Sequence, residues 1–283
     1  MPEILLLTTS TGAPARVQDL SRLLASLAAA EEALRAAMPD WRVRHVLLLQ
    51  NGTTWQGAKP DFTEILTHPG PLSLSAARNR LFAHVGPALG RARVVGFPDD
   101  DAWYTPPWLL CLARLYSAAA APALLLTRYG TAPEPEPATA RLRKLTPGMI
   151  TYWAASPSMF VAGPAAARAA RFDERLSVGP GAIWNGGEDT DFCLRAWSGQ
   201  SGVLVDAPAI GHRDRAPGMS LSYIVGNTFV LARHVRRHPS LWPKLFKKWA
   251  IFGVSALGGR IPRARWKPFF QAQVAAFAGV EVG

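Results

Sequence analysis

Two hydrophobic periods alternate along the first half of the chain. Ile4-Leu5-Leu6-Leu7-Thr8 is an unbroken apolar run of strand length, as expected for a strand buried on both faces. Leu20, Leu23, Leu24, Leu27 and Leu34 then recur at the spacing of one buried helix face. Val43–Leu49 reads as a second strand, closed by the turn signal Gln50-Asn51-Gly52. Thr63–Leu66 reads as a short third strand, and Ser73–Val85 as a helix that Ser73 or Ser75 can cap. Arg93–Phe97 is a further strand. Pro106-Pro107 opens another helix, because proline's missing N–H matters least in a first turn. This strand–helix rhythm predicts an α/β domain with a mostly parallel, Rossmann-like central sheet flanked by helices.

The pattern changes in the second half. Thr131–Thr139 carries Pro133, Pro135 and Pro137 around Glu134 and Glu136, so it is expected to be an exposed loop. Thr151–Ala162 is apolar and aromatic and reads as strand-like. Gly163-Pro164 starts a short Ala-rich helix, and Gly199–Asp206 reads as a turn and a last strand. From Ser220 onward the sequence is helical, basic and rich in tryptophan. The expected organisation is an α/β domain over residues 1–219 and a helical extension over 220–283.

Composition narrows the possibilities. The chain has 283 residues, enough for one large domain with an appendage, and 49% hydrophobic residues, enough for a substantial core. Cys111 and Cys193 offer neither a disulfide framework nor zinc spacing, which fits a reducing cytosolic setting. The first residues have no basic leader and read as a strand rather than a signal peptide. The apolar stretches around Ala118–Leu126 and Trp249–Leu257 fall short of the ~20 residues of a membrane span. The net charge of +11 is concentrated at the C-terminal end: after Asp214 the only acid is Glu281. A tail of that kind fits an anionic partner, such as a membrane surface, a nucleic acid or a polyanionic glycan.

Against this basic background, two acidic clusters stand out. Asp99-Asp100-Asp101 follows the apolar run Val94–Phe97 and therefore sits at the C-terminal end of a strand. Like charges ~4 Å apart repel by roughly 4 kcal/mol at an effective dielectric of 20, so solvent or a cation must relieve them. Strand ends of this kind are where α/β proteins hold metals and phosphorylated ligands. The second cluster is Gly186-Gly187-Glu188-Asp189-Thr190-Asp191, with its acids in the first turn of a helix, where the dipole favours them. Asp191 is also placed to pair with Arg195 at i,i+4. His212 lies just beyond the expected last strand, and imidazole suits a transition metal. Arg78, beside Asn79, has the forked guanidinium suited to a diphosphate.

Taken in order, these segments resemble family 2 glycosyltransferases of the GT-A fold, of the inverting kind that build bacterial polysaccharides. The resemblance spans residues 1 to about 215. It rests on Gln50-Asn51-Gly52, Ser75-Ala76-Ala77-Arg78-Asn79, Phe97-Pro98-Asp99-Asp100-Asp101-Ala102-Trp103-Tyr104, Trp184-Asn185-Gly186-Gly187-Glu188-Asp189-Thr190-Asp191 and His212. Phe172-Asp173-Glu174-Arg175-Leu176 and the stretch Tyr223–His234 are also similar to such members.

The resemblance implies a nucleoside-diphosphate sugar donor and Mn²⁺ or Mg²⁺. Asp101 and His212 would hold the metal, with Asp99 on the ribose or on the metal and Asp100 in the same donor site. Thr8 and Thr9 would line the nucleotide pocket, and Arg78 would approach the base or diphosphate. Asn51 stands where family members often carry an aspartate that reads the base. Asp189 would be the catalytic base, with Glu188 orienting it or the acceptor. Trp184 and Trp153 would stack on the sugars of a glycan or lipid-linked acceptor. The implied location is cytoplasmic, with peripheral contact at the inner membrane face. No nucleic acid is expected.

Two rival readings make specific demands. A nucleotidyltransferase would show a Gly-rich phosphate loop near its start, and Thr9-Ser10-Thr11-Gly12 is too meagre for one. A nucleic-acid-binding protein would use the basic tail but leave both acidic clusters unexplained.

Overall fold

The computed structural model describes residues 1–134, 141–213 and 221–279. Its first half contains β1 (Glu3–Ser10), α1 (Val17–Ala37), β2 (Arg42–Leu49), β3 (Thr63–Thr67), α2 (Leu74–Val85), α3 (Ala88–Arg91), β4 (Val94–Gly96), β5 (Ala102–Tyr104) and α4 (Trp108–Ser117). The second half contains β6 (Leu124–Gly130), β7 (Leu142–Lys144), α5 (Pro147–Trp153), β8 (Met159–Val161), α6 (Gly163–Ala169), β9 (Leu176–Ser177), β10 (Trp184–Asn185), α7 (Glu188–Trp197) and β11 (Gly202–His212). Three helices follow: α8 (Ile224–His234), α9 (Trp242–Leu257) and α10 (Trp266–Phe277).

The main sheet runs β3-β2-β1-β4-β8-β6-β11-β5, with β7 paired to β11. Strands β3, β2, β1 and β4 are mutually parallel, as the strand–helix rhythm requires. Beyond them β8 runs antiparallel to both β4 and β6, and β11 is parallel to β6. Side chains of β1 alternate between two cores. Ile4 and Leu6 join Leu20, Leu23 and Leu27 of α1 and Trp108 of α4 on one face. Leu5 and Leu7 join Phe82 of α2 and Phe192 of α7 on the other. There the rings of Phe82, Phe97, Phe172 and Phe192 pack with centroids 4.2–5.9 Å apart.

One irregularity shapes the site. The first part of β11 pairs with β7 (Val203↔Lys144, Val205↔Leu142) and its end pairs with β5 (Ile210↔Tyr104, His212↔Ala102). Between them the register with β6 shifts at Pro208, a residue that cannot donate to a ladder. The shifted end of β11 carries His212 across from the residue that follows the three aspartates.

The structure corrects two expectations. Thr151–Trp153 is not strand but the last turn of α5, whose start is set by Thr146 accepting from the Met149 N–H with Pro147 behind it. Only Met159–Val161 of that stretch is strand. The last strand does not end at Asp206 but continues to His212, so the histidine is on it rather than beyond it. In the Pro-rich segment, Thr131–Glu134 is irregular as expected, and residues 135–140 lie outside the described residues, as do 214–220.

The C-terminal helices share the core that contains α2 and α7: Phe229, Leu231, Leu245, Phe252 and Phe269 are buried in it. Gly226 of α8 explains the close approach. A Cβ at this position would lie 2.0 Å from the Gly186 carbonyl oxygen, in the turn that precedes α7. Gly187, at φ 92°, gives that turn the left-handed conformation that ordinary residues rarely adopt.

Candidate active site

The three aspartates occupy the turn between β4 and β5. Asp101 Oδ1 lies 3.0 Å from His212 Nε2, and Asp99 Oδ2 lies 3.9 Å from the same nitrogen. One ligand atom from each of Asp99, Asp101 and His212 falls within 4.8 Å of the others. An octahedral ion bound at about 2.1 Å places neighbouring donors about 3 Å apart and opposite ones about 4.2 Å apart, so the set has the right spacing for one. Two hard carboxylates with one imidazole suit Mn²⁺ or Mg²⁺.

Two cationic side chains share the anionic load. Arg16, at the start of α1, donates to Asp101 Oδ2 at 2.8 Å and reaches Asp100 Oδ1 at 3.3 Å. Arg213 Nη2 lies 3.4 Å from Asp101 Oδ2. Burial alone would raise the Asp101 carboxyl. The His212 and Arg16 hydrogen bonds and charges outweigh it and hold Asp101 well below the usual carboxylate range. Asp100 turns the other way, accepting from the Ser10 hydroxyl at 2.6 Å, and its burial moves it upward. Asp99 keeps 31% of its side chain open to the cleft. Even so, desolvation pushes it up to about 7, with Arg78 and His212 pulling down and Asp189 and Asp101 repelling.

The second acidic cluster meets the first through Arg78. This residue is buried on α2, where the Ser73 hydroxyl accepts from the Ala76 N–H as the N-cap. Arg78 Nη1 donates to Asp189 Oδ1 at 2.7 Å, while Nη2 lies 3.7 Å from Asp99 Oδ1 and donates to the Ser156 hydroxyl. Asp189 Oδ2 also accepts from the Ser156 N–H at 2.9 Å and from its hydroxyl at 3.0 Å. A carboxylate offers about four acceptor positions. Three are filled here, which fixes the group's orientation and leaves one for a proton from outside. Glu188 is buried beside it with Oε2 unpartnered. Desolvation first, then repulsion from Asp189, raises Glu188 to about 7.

Asp191, on the same helix, has a different task. It is fully buried, bonds Arg195 at 2.8 Å and His234 at 2.8 Å, and lies 3.4 Å from Arg233. Arg233 in turn reaches Asp173 at 3.0 Å. The i,i+4 pair anticipated for Asp191 is therefore present, and the contacts to His234 and Arg233 tie α7 to α8.

The remaining candidates divide. Thr8 is fully buried and its hydroxyl meets His45 at 3.0 Å, so that hydroxyl belongs to the core rather than to an open pocket. Thr9 is half-buried near the end of β1. Asn51 is exposed, at φ 61°, and donates to the Thr11 carbonyl at 3.1 Å. A small cavity of about 30 Å³ opens between Ser10, Arg16, Leu49, Thr53 and Trp55, beside Asp100. Trp184 is buried with its ring 4.3 Å from that of Phe229, so it packs the core instead of offering a sugar platform. Trp153 is half-buried, against Tyr152 and the Arg128 guanidinium. Sequence reasoning missed Ser156, Arg16 and Ser10 as site residues. Nothing in their local sequence marks them, since each acts across more than 30 positions.

Neither a protein-family model nor a curated protein sequence matches the chain. Solved structures do. S. aureus TarS 1-349 in complex with UDP-GlcNAc is similar over 98% of this chain and 82% of its own, with a TM-score of 0.64 at 12% identity. Its complex with UDP gives a TM-score of 0.63 at 14% identity, over 98% and 83%. A mannosyltransferase from Pyrobaculum calidifontis in complex with GDP-Man and Mn²⁺ gives 0.54 at 10% identity, over 99% and 85%. The chain has the mixed α/β fold of these glycosyltransferases, the GT-A architecture expected from its motifs.

Proposed function

We propose that this protein is a metal-dependent inverting glycosyltransferase. It would move a sugar from a nucleoside-diphosphate sugar to a hydroxyl of a glycan or lipid-linked acceptor, as in the building of a bacterial surface polysaccharide. The observation that carries this reading is the convergence of Asp99, Asp101 and His212 with Asp189 and Glu188, joined through the buried Arg78. A lone acidic turn would bind a cation. A second, oriented carboxylate alongside it supplies what a transferase also needs.

Asp101, His212 and Asp99 would hold Mn²⁺ or Mg²⁺. When bound, the ion supplies Lewis-acid stabilisation of the departing diphosphate. The chain's own residues supply the rest. Asp100, Ser10 and Thr9 would line the nucleoside side of the donor site. Arg78 balances charge between the donor and acceptor sides. Asp189 takes the acceptor proton through its free position, a contribution of about 10²–10⁴-fold. Attack on the face opposite the diphosphate inverts the anomeric carbon. Trp153, with the exposed Tyr152 beside it, is the remaining aromatic candidate for the acceptor. An acceptor carried on lipid would place the protein at the inner membrane face.

One observation favours a second assignment within the same reaction. Glu188, with Oε2 unpartnered and its carboxyl raised to about 7, has the properties of a general base. The test is a transfer assay with nucleotide sugars chosen by thermal shift in Mn²⁺. Asp189→Asn should retain donor binding and lose transfer by at least a hundredfold. Near-normal turnover in that variant, with loss in Glu188→Gln, would move the base to Glu188. If no nucleotide sugar shifts the melting temperature with Mn²⁺, the transferase reading fails.

A further inference from the structure

Helices α9 and α10 leave an apolar groove between them that the site described above does not use. It encloses about 800 Å³ and is lined by Trp249, Gly253, Phe270, Val274 and Phe277 over a floor of Phe252 and Phe269, whose rings stack 3.5 Å apart. Phe246, Val254, Leu257, Phe270 and Val274 keep 55–86% of their surface in solvent. Their spacing is helical: Phe246, Trp249, Gly253 and Leu257 follow one face of α9, and Phe270, Val274 and Phe277 one face of α10. Both helices therefore present apolar side chains outward in addition to those they bury. Single exposed apolar residues are ordinary, but a contiguous groove of aromatic rings marks a binding surface.

Its surroundings identify the occupant. Between Leu221 and Gly279 the chain has ten Lys and Arg and no Asp or Glu. Lys247, Arg260, Arg263 and Lys267 are exposed on the two helices and the turn that joins them. A protein partner would normally present charges of both signs, whereas an anionic bilayer offers negative headgroups above acyl chains. The volume falls within the roughly 300–1,000 Å³ of a small-molecule site, which suits one chain segment. Among the described residues no helix is long and apolar enough to cross a membrane. The geometry is that of helices lying in the interface rather than spanning it.

We infer that the α9–α10 pair is a docking surface for an anionic lipid bilayer, with an acyl chain entering the groove and the flanking lysines and arginines on the headgroups. This inference stands apart from the transferase reading, because vesicle binding and sugar transfer are separate measurements.

The full chain is sedimented with vesicles of phosphatidylglycerol and phosphatidylcholine in equal parts, and with phosphatidylcholine alone, at low and high salt. Binding is expected on the anionic vesicles only. High salt should weaken it strongly, since the screening length falls to about 3 Å at 1 M. Lys247→Glu with Lys267→Glu should weaken it roughly tenfold or more, each basic residue near such a surface being worth about a fivefold change. Phe270→Asp with Val274→Asp, at exposed positions that leave the core intact, should abolish the salt-resistant part. Thermal melting checks that each variant stays folded. Absence of wild-type binding at low salt, equal binding to neutral vesicles, or full binding by the groove variant would each overturn the inference. So would a stable dimer in solution that the Phe270→Asp variant dissociates, since a second copy would then cover the face.

Discussion

Arg78→Met tests the electrostatic reading of the site more directly than any change to a carboxylate. The guanidinium is buried, donates to Asp189 at 2.7 Å, donates to Ser156, and lies 3.7 Å from Asp99. Methionine fills a similar volume without the charge. Removing one partner of a buried pair leaves the other desolvated and uncompensated, at a cost of about 3–5 kcal/mol. For a domain whose total stability is about 5–15 kcal/mol, that is a large fraction, and it lowers the melting temperature by roughly 10 °C. The loss should depend on pH in a defined direction. Without Arg78, whose charge pulls Asp99 down, Asp99 is expected to titrate higher in the folded state than in the wild type. A group whose folded pKa is raised keeps its stability below the unfolded value and loses it as pH rises through the folded value. The deficit of the variant should therefore be largest near pH 8 and shrink toward pH 5. Urea unfolding in EDTA at both pH values measures it. Arg78→Met combined with Asp189→Asn should recover part of the loss, giving a coupling energy. A deficit below about 1 kcal/mol, or one equal at both pH values, would show that Arg78 does not serve as the counter-ion of this cluster.

Asp101→Ala should weaken Mn²⁺-dependent donor binding by tenfold or more in calorimetric titration, while binding without metal changes less; unchanged affinity with Mn²⁺ would remove Asp101 from the ligand set. Glu188→Gln should flatten the pH dependence of stability. Glu188 rises from 4.5 to about 7 on folding, so the wild type loses stability as pH climbs through that interval, by as much as ~3 kcal/mol, and the amide does not. Parallel pH profiles of wild type and variant would show that the carboxyl is not desolvated as described.

What the sequence disclosed follows from how local each signal is. β1, β2 and α1 were legible because a strand buried on both faces must be apolar throughout and a packed helix must repeat every three or four residues. β5 has three residues, too few for any period, and its existence depends on pairing with β11. β6 was hidden because Leu124–Leu126 follows an alanine-rich run without a turn signal of its own. Aromatic content masked the helix at Pro147–Trp153, although Thr146-Pro147 carries both an N-cap and a first-turn proline. The acidic clusters were legible as charge in a basic chain, while the roles expected of Asp189 and Asp101 came from the resemblance alone. Ser156 was not legible, because its role requires its backbone N–H and hydroxyl to reach one carboxylate 33 residues away. Trp184 shows the opposite failure: a large aromatic beside an acidic cluster reads as an exposed platform until the ring of Phe229 is placed against it.

The charged groups form one continuous series rather than two sites. Ser10 holds Asp100, Arg16 bridges Asp100 and Asp101, His212 bridges Asp101 and Asp99, and Arg78 bridges Asp99 and Asp189. Asp99 is the shared member, with Arg78 on one side, His212 on the other and two like charges beyond them. Any change in positive charge near Asp101 therefore alters how strongly Asp99 draws on Arg78, and through Arg78 how firmly Asp189 is held. The direction is fixed: more positive charge at the aspartate turn favours ionised Asp99, and ionised Asp99 competes with Asp189 for the same guanidinium. Ser156 keeps Asp189 oriented through this competition with two donors that do not depend on charge. The arrangement thus ties the readiness of the proposed base to the charge state of the donor side, through contacts that span the cleft without a moving segment.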